Sequence, residues 1–194
     1  MTIAIDKDLV HRAVRRDPDA TATLLEQVRP GLVRYCRARL GRVGGGYSTA
    51  DDVAQEVCLA LLSALPKYRD QGRPFTAFVY GIAAHKVADA QRSAFRDAVV
   101  APVENVVEQP DAAPGPEQQA VSTDLARRLS GLLERLTETQ REIVLLRVAV
   151  GLSAEEVGDV VGLSAAAVRV AQSRALARLR TLAQATNVPD EVPA

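Results

Sequence analysis

The residues from Ser153 to Arg180 have the types and spacing of a helix-turn-helix. Ser153-Ala-Glu-Glu156 is a capping box, in which the serine oxygen meets the N3 amide and Glu156 reaches back. Gly158 supplies the small residue where two helices cross. Gly162, four residues on, supplies the left-handed backbone of a tight turn. Ser164 caps the second helix. Val157, Val161, Leu163, Val168 and Ala171 are the apolar anchors expected inside the corner. The second helix then offers Arg169, Gln172, Ser173, Arg174 and Arg178 to a DNA groove, since Gln pairs with adenine and Arg pairs with guanine or clamps phosphate. An ordinary helical hairpin, with Gly and Ser as punctuation, is the competing reading.

A second constellation surrounds Phe75, Phe78 and Tyr80. Lys67, Arg69 and Arg73 precede them, and Lys86, Arg92 and Arg96 follow. Aromatic rings beside cations suit single-stranded nucleic acid, because bases stack and phosphates need neutralising. Each aromatic taken alone also suits a helical core. A third set, Asp51, Asp52, Gln55 and Glu56, falls at one helix start. The helix dipole favours carboxylates there. The set lacks an ion-binding loop and has no nearby His, so an acidic docking face for a basic partner is the more useful reading.

Elements must position these groups. A first helix is expected from about Asp6 to the Asp17-Pro18-Asp19 turn, and a second over Ala20–Leu40 with an interruption near Pro30. Gly41 stops it, and Gly44, Gly45 and Gly46 form a plain loop. Ser48 or Thr49 caps the next helix, whose apolar positions Val53, Val57, Ala60, Leu61 and Ala64 keep a helical period until Pro66. Pro74 suits the first turn of a helix running from Phe75 to about Arg96. Residues 97–123 carry four prolines and most of an acidic block, and read as a linker. Helical patterning resumes at Asp124. The expected fold class is all-α: a helical domain over 1–96, a flexible acidic linker over 97–123, a helix-turn-helix domain over 124–185 and a tail over 186–194.

Net charge is zero, from 24 basic and 24 acidic residues, but the charges are segregated. Arg29–Arg42 holds five arginines and no acid, Ala165–Leu182 four arginines and no acid, and Asp97–Asp124 six acids and no Lys or Arg. His11 and His85 are the only histidines, and neither lies in a nucleophile or metal constellation, so an enzyme is the least favoured class. No metal or other cofactor is expected. Cys36 and Cys58 form no CxxC pair and read as reduced core thiols. No apolar run approaches the ~20 residues of a membrane helix, and no signal peptide is visible, so a cytoplasmic chain is expected.

The motifs together resemble a known family. Asp51-Asp-Val-Ala-Gln-Glu-Val57, followed by Phe75-Thr-Ala-Phe-Val-Tyr-Gly-Ile-Ala83, is similar to region 2 of sigma-70 factors. Leu133-Glu-Arg-Leu-Thr-Glu-Thr-Gln-Arg-Glu-Ile-Val-Leu-Leu-Arg147, Gly151-Leu-Ser-Ala-Glu-Glu-Val157 and Gly162-Leu-Ser resemble region 4. Nothing between them resembles region 3, a layout similar to the extracytoplasmic-function (group IV) factors. Tyr35-Cys-Arg-Ala-Arg39, Gly81-Ile-Ala-Ala-His-Lys-Val-Ala-Asp89 and Ala167-Val-Arg-Val-Ala-Gln172 look most like the actinobacterial sigma D type. The resemblance covers nearly the whole chain apart from linker and tails.

That resemblance implies roles. Asp51, Asp52, Gln55 and Glu56 fall where the family docks on the β′ clamp helices of core RNA polymerase. Lys67, Arg69, Arg73, Phe75, Phe78, Tyr80, His85, Lys86 and Arg92 fall in the part that melts the −10 promoter element and captures a flipped base. Ser164, Ala166, Arg169, Gln172, Ser173, Arg174 and Arg178 fall on the helix that reads the −35 duplex, in a domain that also docks on the β flap. The acidic linker resembles the segment that threads toward the active-site and RNA-exit channel. An anti-sigma protein is a further implied partner. The sequence departs from the family at Gly81, where Arg is frequent, at His85, where Asn is, and at Val170-Ala171 and Leu176, where Ser-Arg and Arg are. No −10 or −35 sequence carries over. A stand-alone helix-turn-helix regulator and a sigma-like decoy are the alternatives. The first leaves the 51–83 pattern unused; the missing recognition-helix arginines support the second.

Overall fold

The computed structural model describes residues 5–40, 47–100 and 128–186, which form helices joined by turns and short loops, with no strand among them. The glycine-rich loop 41–46, residues 101–127 of the expected linker and of the start of the second domain, and residues 187–194 of the tail lie outside the described residues.

Helix α1 (Lys7–Val14) starts where expected, with the Asp6 carboxylate accepting from the Asp8 amide at 3.0 Å. The chain reverses through Arg16, whose φ is +66°. Asp17 then accepts from the amides of Asp19 (3.0 Å) and Ala20 (3.1 Å), while Arg12 pairs with it at 2.8 Å. The Ala20 amide, and after it Arg12, hold the Asp17 carboxyl below the usual carboxylate range. Pro18 opens α2 (Pro18–Leu40), where its missing N–H is no loss.

The interruption expected near Pro30 is absent: α2 is continuous. Pro30 removes one backbone bond, but Val28, Gly31, Leu32, Tyr35 and Cys36 on either side are buried. Burying a Val or Leu side chain stabilises by about 1.5–3 kcal/mol, and several such side chains together offset one lost bond. Helix α3 (Tyr47–Ala64) begins slightly before the expected caps Ser48 and Thr49, and Pro66 turns its end into the 3-10 turn Leu65–Lys67. Helix α4 (Phe75–Val100) starts at the expected residue and continues four residues beyond Arg96. Leu24, Leu32, Val57, Leu61, Val79 and Val87 interlock α2, α3 and α4.

In the second half, residues 128–134 form the described part of α5. Helix α6 (Glu138–Val144) is opened by a Thr137–Gln140 capping box and runs into a π turn over Leu145–Val150. Gly151, with φ +90°, ends that turn. Helices α7 (Ala154–Val161) and α8 (Ala165–Thr186) complete the fold. Leu133, Leu136, Val144, Leu145 and Ala175 form a small core of their own. Ile143, Leu146, Val150, Val157 and Val168 instead join the core of α2–α4. The two helical units are therefore packed directly against each other.

Candidate nucleic-acid and polymerase interfaces

Helix α3 carries the acidic set on its outer side. Asp52, Gln55 and Glu56 are exposed. Asp51 is held by a two-pronged contact from Arg37 of α2, Nε at 2.8 Å and Nη2 at 2.5 Å. Glu56 accepts from Lys86 Nζ at 3.2 Å, so this expected nucleic-acid residue reaches the acidic face. The same side continues into Leu59 (57% exposed) and Leu62, an apolar step that sequence reading missed. Their signal was available, since both fall outside the Val53, Val57, Leu61 stripe.

The aromatic set divides. Tyr68, Phe75 and Phe78 form a cluster with centroids 4.9–5.8 Å apart at the head of α4. Phe75 is buried and Phe78 half-buried. Tyr80 lies in the interior, edge-on to Tyr35 at 5.6 Å, with its hydroxyl against the Cα of Gly31. Burial pushes its phenol above the usual tyrosine range. A cavity of about 330 Å³ beside the cluster is lined by Lys7, His11, Tyr68, Arg73, Thr76 and Glu156. Lys67, Arg69 and His85 are exposed, Arg69 donates to the Tyr68 carbonyl, and Arg92 pairs with Asp89.

The helix-turn-helix forms as spaced. Ser153 Oγ accepts from the Glu156 amide (3.1 Å), and Glu156 accepts from the Ser153 amide (2.8 Å). Gly162 has φ +74°, and its amide donates to the Gly158 carbonyl at 2.8 Å. A Cβ on Gly158 would stand 2.5 Å from the Leu163 carbonyl oxygen, so the crossing admits no side chain. Ser164 Oγ caps α8 through the Ala167 amide at 3.2 Å. Val157 and Val168 fill the corner, with Val161 and Ala171 half-buried around them. Leu163, expected among these anchors, is 39% exposed. The turn set by Gly162 brings the Leu163 carbonyl, not its side chain, against Gly158.

The recognition-helix residues also divide. Ala166, Arg169, Ser173, Arg174 and Arg178 are exposed. Arg169 pairs with Glu155 at 2.5 Å across the two helices. Gln172 is half-buried, its carbonyl accepting from Arg147 Nε at 3.0 Å. Arg147 also donates to the Leu152 carbonyl, which braces α8 on the segment before α7.

A polar cluster that sequence reading did not find joins the two units. Tyr35 donates to Glu142 at 2.7 Å. Arg39, its side chain 7% exposed, reaches Glu138 at 2.5 Å and Glu142 at 3.5 Å. Burial pushes the Glu142 carboxyl up, and Tyr35 and Arg39 only partly oppose this. Nearby, Arg34 donates to the Ala149 carbonyl (2.9 Å) and Thr76 to Glu156 (3.1 Å). Arg73 donates to the Asp159 carbonyl and lies 3.6 Å from its carboxylate. Among the described residues no group of His, Cys, Asp and Glu is placed to hold a metal ion, and no helix is long and apolar enough to cross a membrane.

Comparison with known proteins agrees with these elements. Residues 24–96 match the family model Sigma-70 region 2, and residues 126–179 match Sigma-70, region 4. The chain is 57% identical over 172 residues to the ECF RNA polymerase sigma factor SigD of Mycobacterium tuberculosis, covering 89% of this chain and 81% of the relative. It is 53% identical over 179 residues to the ECF RNA polymerase sigma factor ShbA of Streptomyces griseus, covering 91% and 94%. Among solved structures, CnrH in complex with the cytosolic domain of CnrY aligns with a TM-score of 0.68 at 25% identity, over 93% of this chain and 97% of that one. With both regions matched in order on the helices that carry the acidic face and the helix-turn-helix, the chain belongs to the ECF RNA polymerase sigma factors of the sigma-70 family, proteins of transcription initiation and not a class of enzymes.

Proposed function

We propose that this chain binds core RNA polymerase through the α3 face and the C-terminal unit, reads the −35 element as duplex with α8, and melts and captures the −10 element at the head of α4. It acts in the cytoplasm and leaves all catalysis to the polymerase. The reading divides the chain at 1–96 for polymerase and −10 contacts, 97–123 for the linker and 124–185 for −35 and β-flap contacts. The observation that carries it is the pairing, on one chain, of a complete helix-turn-helix with an acidic-to-apolar helix face over Asp52, Gln55, Glu56 and Leu59. Carboxylates beside exposed leucines suit a basic, partly apolar partner surface such as the β′ clamp helices.

The −10 contacts are assigned to Lys67, Arg69, Arg73 and Phe78 at or near the surface by the aromatic cluster, and to His85, exposed two turns further along α4. Tyr80 and Phe75 act from inside, as the floor on which that surface rests. Glu56 competes with nucleic acid for Lys86, and Asp89 does so for Arg92. The −35 contacts are assigned to Arg169, Ser173, Arg174 and Arg178, with Ser164 and Ala166 at the helix start. Gln172 supports them through Arg147. An anti-sigma protein is a further partner, by likeness to CnrH, whose structure holds the cytosolic domain of CnrY.

Transcription in vitro with core polymerase and a fragmented genomic template tests the reading. New start sites sharing two spaced upstream motifs are expected only when the chain is added. The Asp52→Arg variant should lose polymerase binding, whereas His85→Ala should keep binding and lose −10 base preference. Tight duplex binding without polymerase would favour a stand-alone regulator. Polymerase binding without any new start would favour a decoy.

A further inference from the structure

The outward face of α8 has an unusual centre. Val168 and Ala175 are fully buried and mark the inward side of the helix. At about 100° per residue, the opposite side carries Ala166, Val170, Ser173 and Ala177, all exposed. Arg169 and Arg174 flank this strip, one on each edge. Val170 is 50% exposed, in a segment with four arginines and no acid between Ala165 and Leu182. The one side chain here suited to a two-bond reading of adenine, Gln172, is turned inward onto Arg147. The middle of the DNA-facing helix is thus small and, Ser173 apart, apolar, and the charge sits at its rims.

We propose that Val170 is a specificity-determining residue that reads thymine: its methyl groups pack on the C5-methyl group of a thymine in the −35 major groove, with Ala166 extending the strip. The inference rests on the −35 reading given above and deepens it. The C5-methyl is the one apolar feature a base pair shows in the major groove, and an apolar side chain is its chemical complement. The arginine rims complement the flanking phosphates, which fix the helix in register without reading sequence. A helix so built is selective for A·T pairs through shape and methyl contact. A partner protein is the other occupant an exposed valine admits, but a helix with four arginines and no acid of its own, whose Arg169 alone is met by Glu155 of α7 while Arg174 and Arg178 stay exposed, matches a polyanion.

The test uses the full chain assembled with core polymerase, on promoter duplexes recovered by start-site mapping. Each thymine of the upstream element, on either strand, is replaced singly by deoxyuridine, which lacks only the C5-methyl. At one position or two adjacent ones, the wild-type assembly should lose about fourfold in binding, the worth of one buried methyl-sized group. With Val170→Ala, thymine and deoxyuridine should bind equally at that position. Arg174→Ala should weaken both equally and lower the salt dependence, leaving their ratio intact.

Equal wild-type binding of thymine and deoxyuridine at every position would overturn the proposal. So would a preference that survives in Val170→Ala, or an upstream element with no A·T pair. If polymerase-bound chain shows no dependence on any upstream sequence, the −35 reading itself falls. That result is distinct, because scrambling the element would then be as harmless as demethylating it.

Discussion

The phenol of Tyr35 on α2 donates to the carboxylate of Glu142 on α6 at 2.7 Å, across 107 residues of sequence. Arg39, one turn further along α2, completes the cluster from the other side. All three are buried or nearly so, and each depends on the others for its hydrogen bonds or charge balance. Removing one member leaves a desolvated polar group behind, which costs more than the contact itself contributes.

Arg39→Ala should therefore separate the two helical units more effectively than any surface substitution. About 3–5 kcal/mol of the packing between them should be lost, the usual scale for breaking one side of a buried pair. Small-angle scattering should show an expanded chain. Replacing the cluster as a set, with Tyr35→Phe, Arg39→Met and Glu142→Leu, should restore compactness. A compact Arg39→Ala chain would show that the apolar contacts alone hold the units.

The same cluster predicts a pH dependence. Burial raises Glu142 above the usual carboxylate range, so the folded chain takes up its proton more readily than the unfolded chain. The stability this confers is complete below the ordinary carboxylate range and is lost as pH rises through the raised value. Asp17, held low, has the opposite sign and loses its contribution as pH falls through its lowered value. Urea unfolding at stepped pH should show wild-type stability rising as pH drops toward the carboxylate range. Glu142→Gln should flatten that rise while leaving the Asp17-dependent fall at more acid pH.

Gly31 faces the Tyr80 hydroxyl so closely that a methyl group would overlap it. Gly31→Ala should destabilise the first unit by about 1–3 kcal/mol through overpacking. Tyr80→Phe, which removes the obstructing oxygen, should recover most of that loss in the double variant. Additive losses in thermal unfolding would show that the ring, not the hydroxyl, sets the spacing.

Gly158→Ala should be worse tolerated, because its obstacle is the Leu163 backbone rather than the end of a side chain. Specific promoter binding should fall sharply while polymerase binding through α3 persists. Footprinting and a polymerase pull-down on the same preparation separate the two effects.

Much of this architecture is legible in the sequence where local chemistry decides it. Asp6, Ser153, Glu156, Gly162 and Ser164 act on backbone groups within a few residues, and each does what its type and spacing imply. Pro30 misleads because its helix is held by burial on both sides, a tertiary effect that outweighs a local one. Leu163 misleads because apolarity was read as inwardness, although the turn turns its carbonyl inward instead. Gln172 and Tyr80 have the chemistry to meet bases, but partners far away in sequence, Arg147 and Tyr35, draw them in. The Tyr35–Arg39 and Glu138–Glu142 pairs, each four apart on its own helix, were a readable hint of two matching faces. Which faces meet is a property of the folded chain.

The contact of Arg73 with Asp159 has a thermodynamic corollary. Arg73 cannot serve that residue and a phosphate at once, and Thr76 ties the head of α4 to α7 by donating to Glu156. On the −10 reading proposed above, a promoter strand arriving at this loop would compete with the protein's own helix α7. Its apparent affinity equals its intrinsic affinity multiplied by the fraction of molecules in which α7 has already left. By reciprocity, a partner that parts the units would tighten the hold on that strand, up to the point at which every molecule is open.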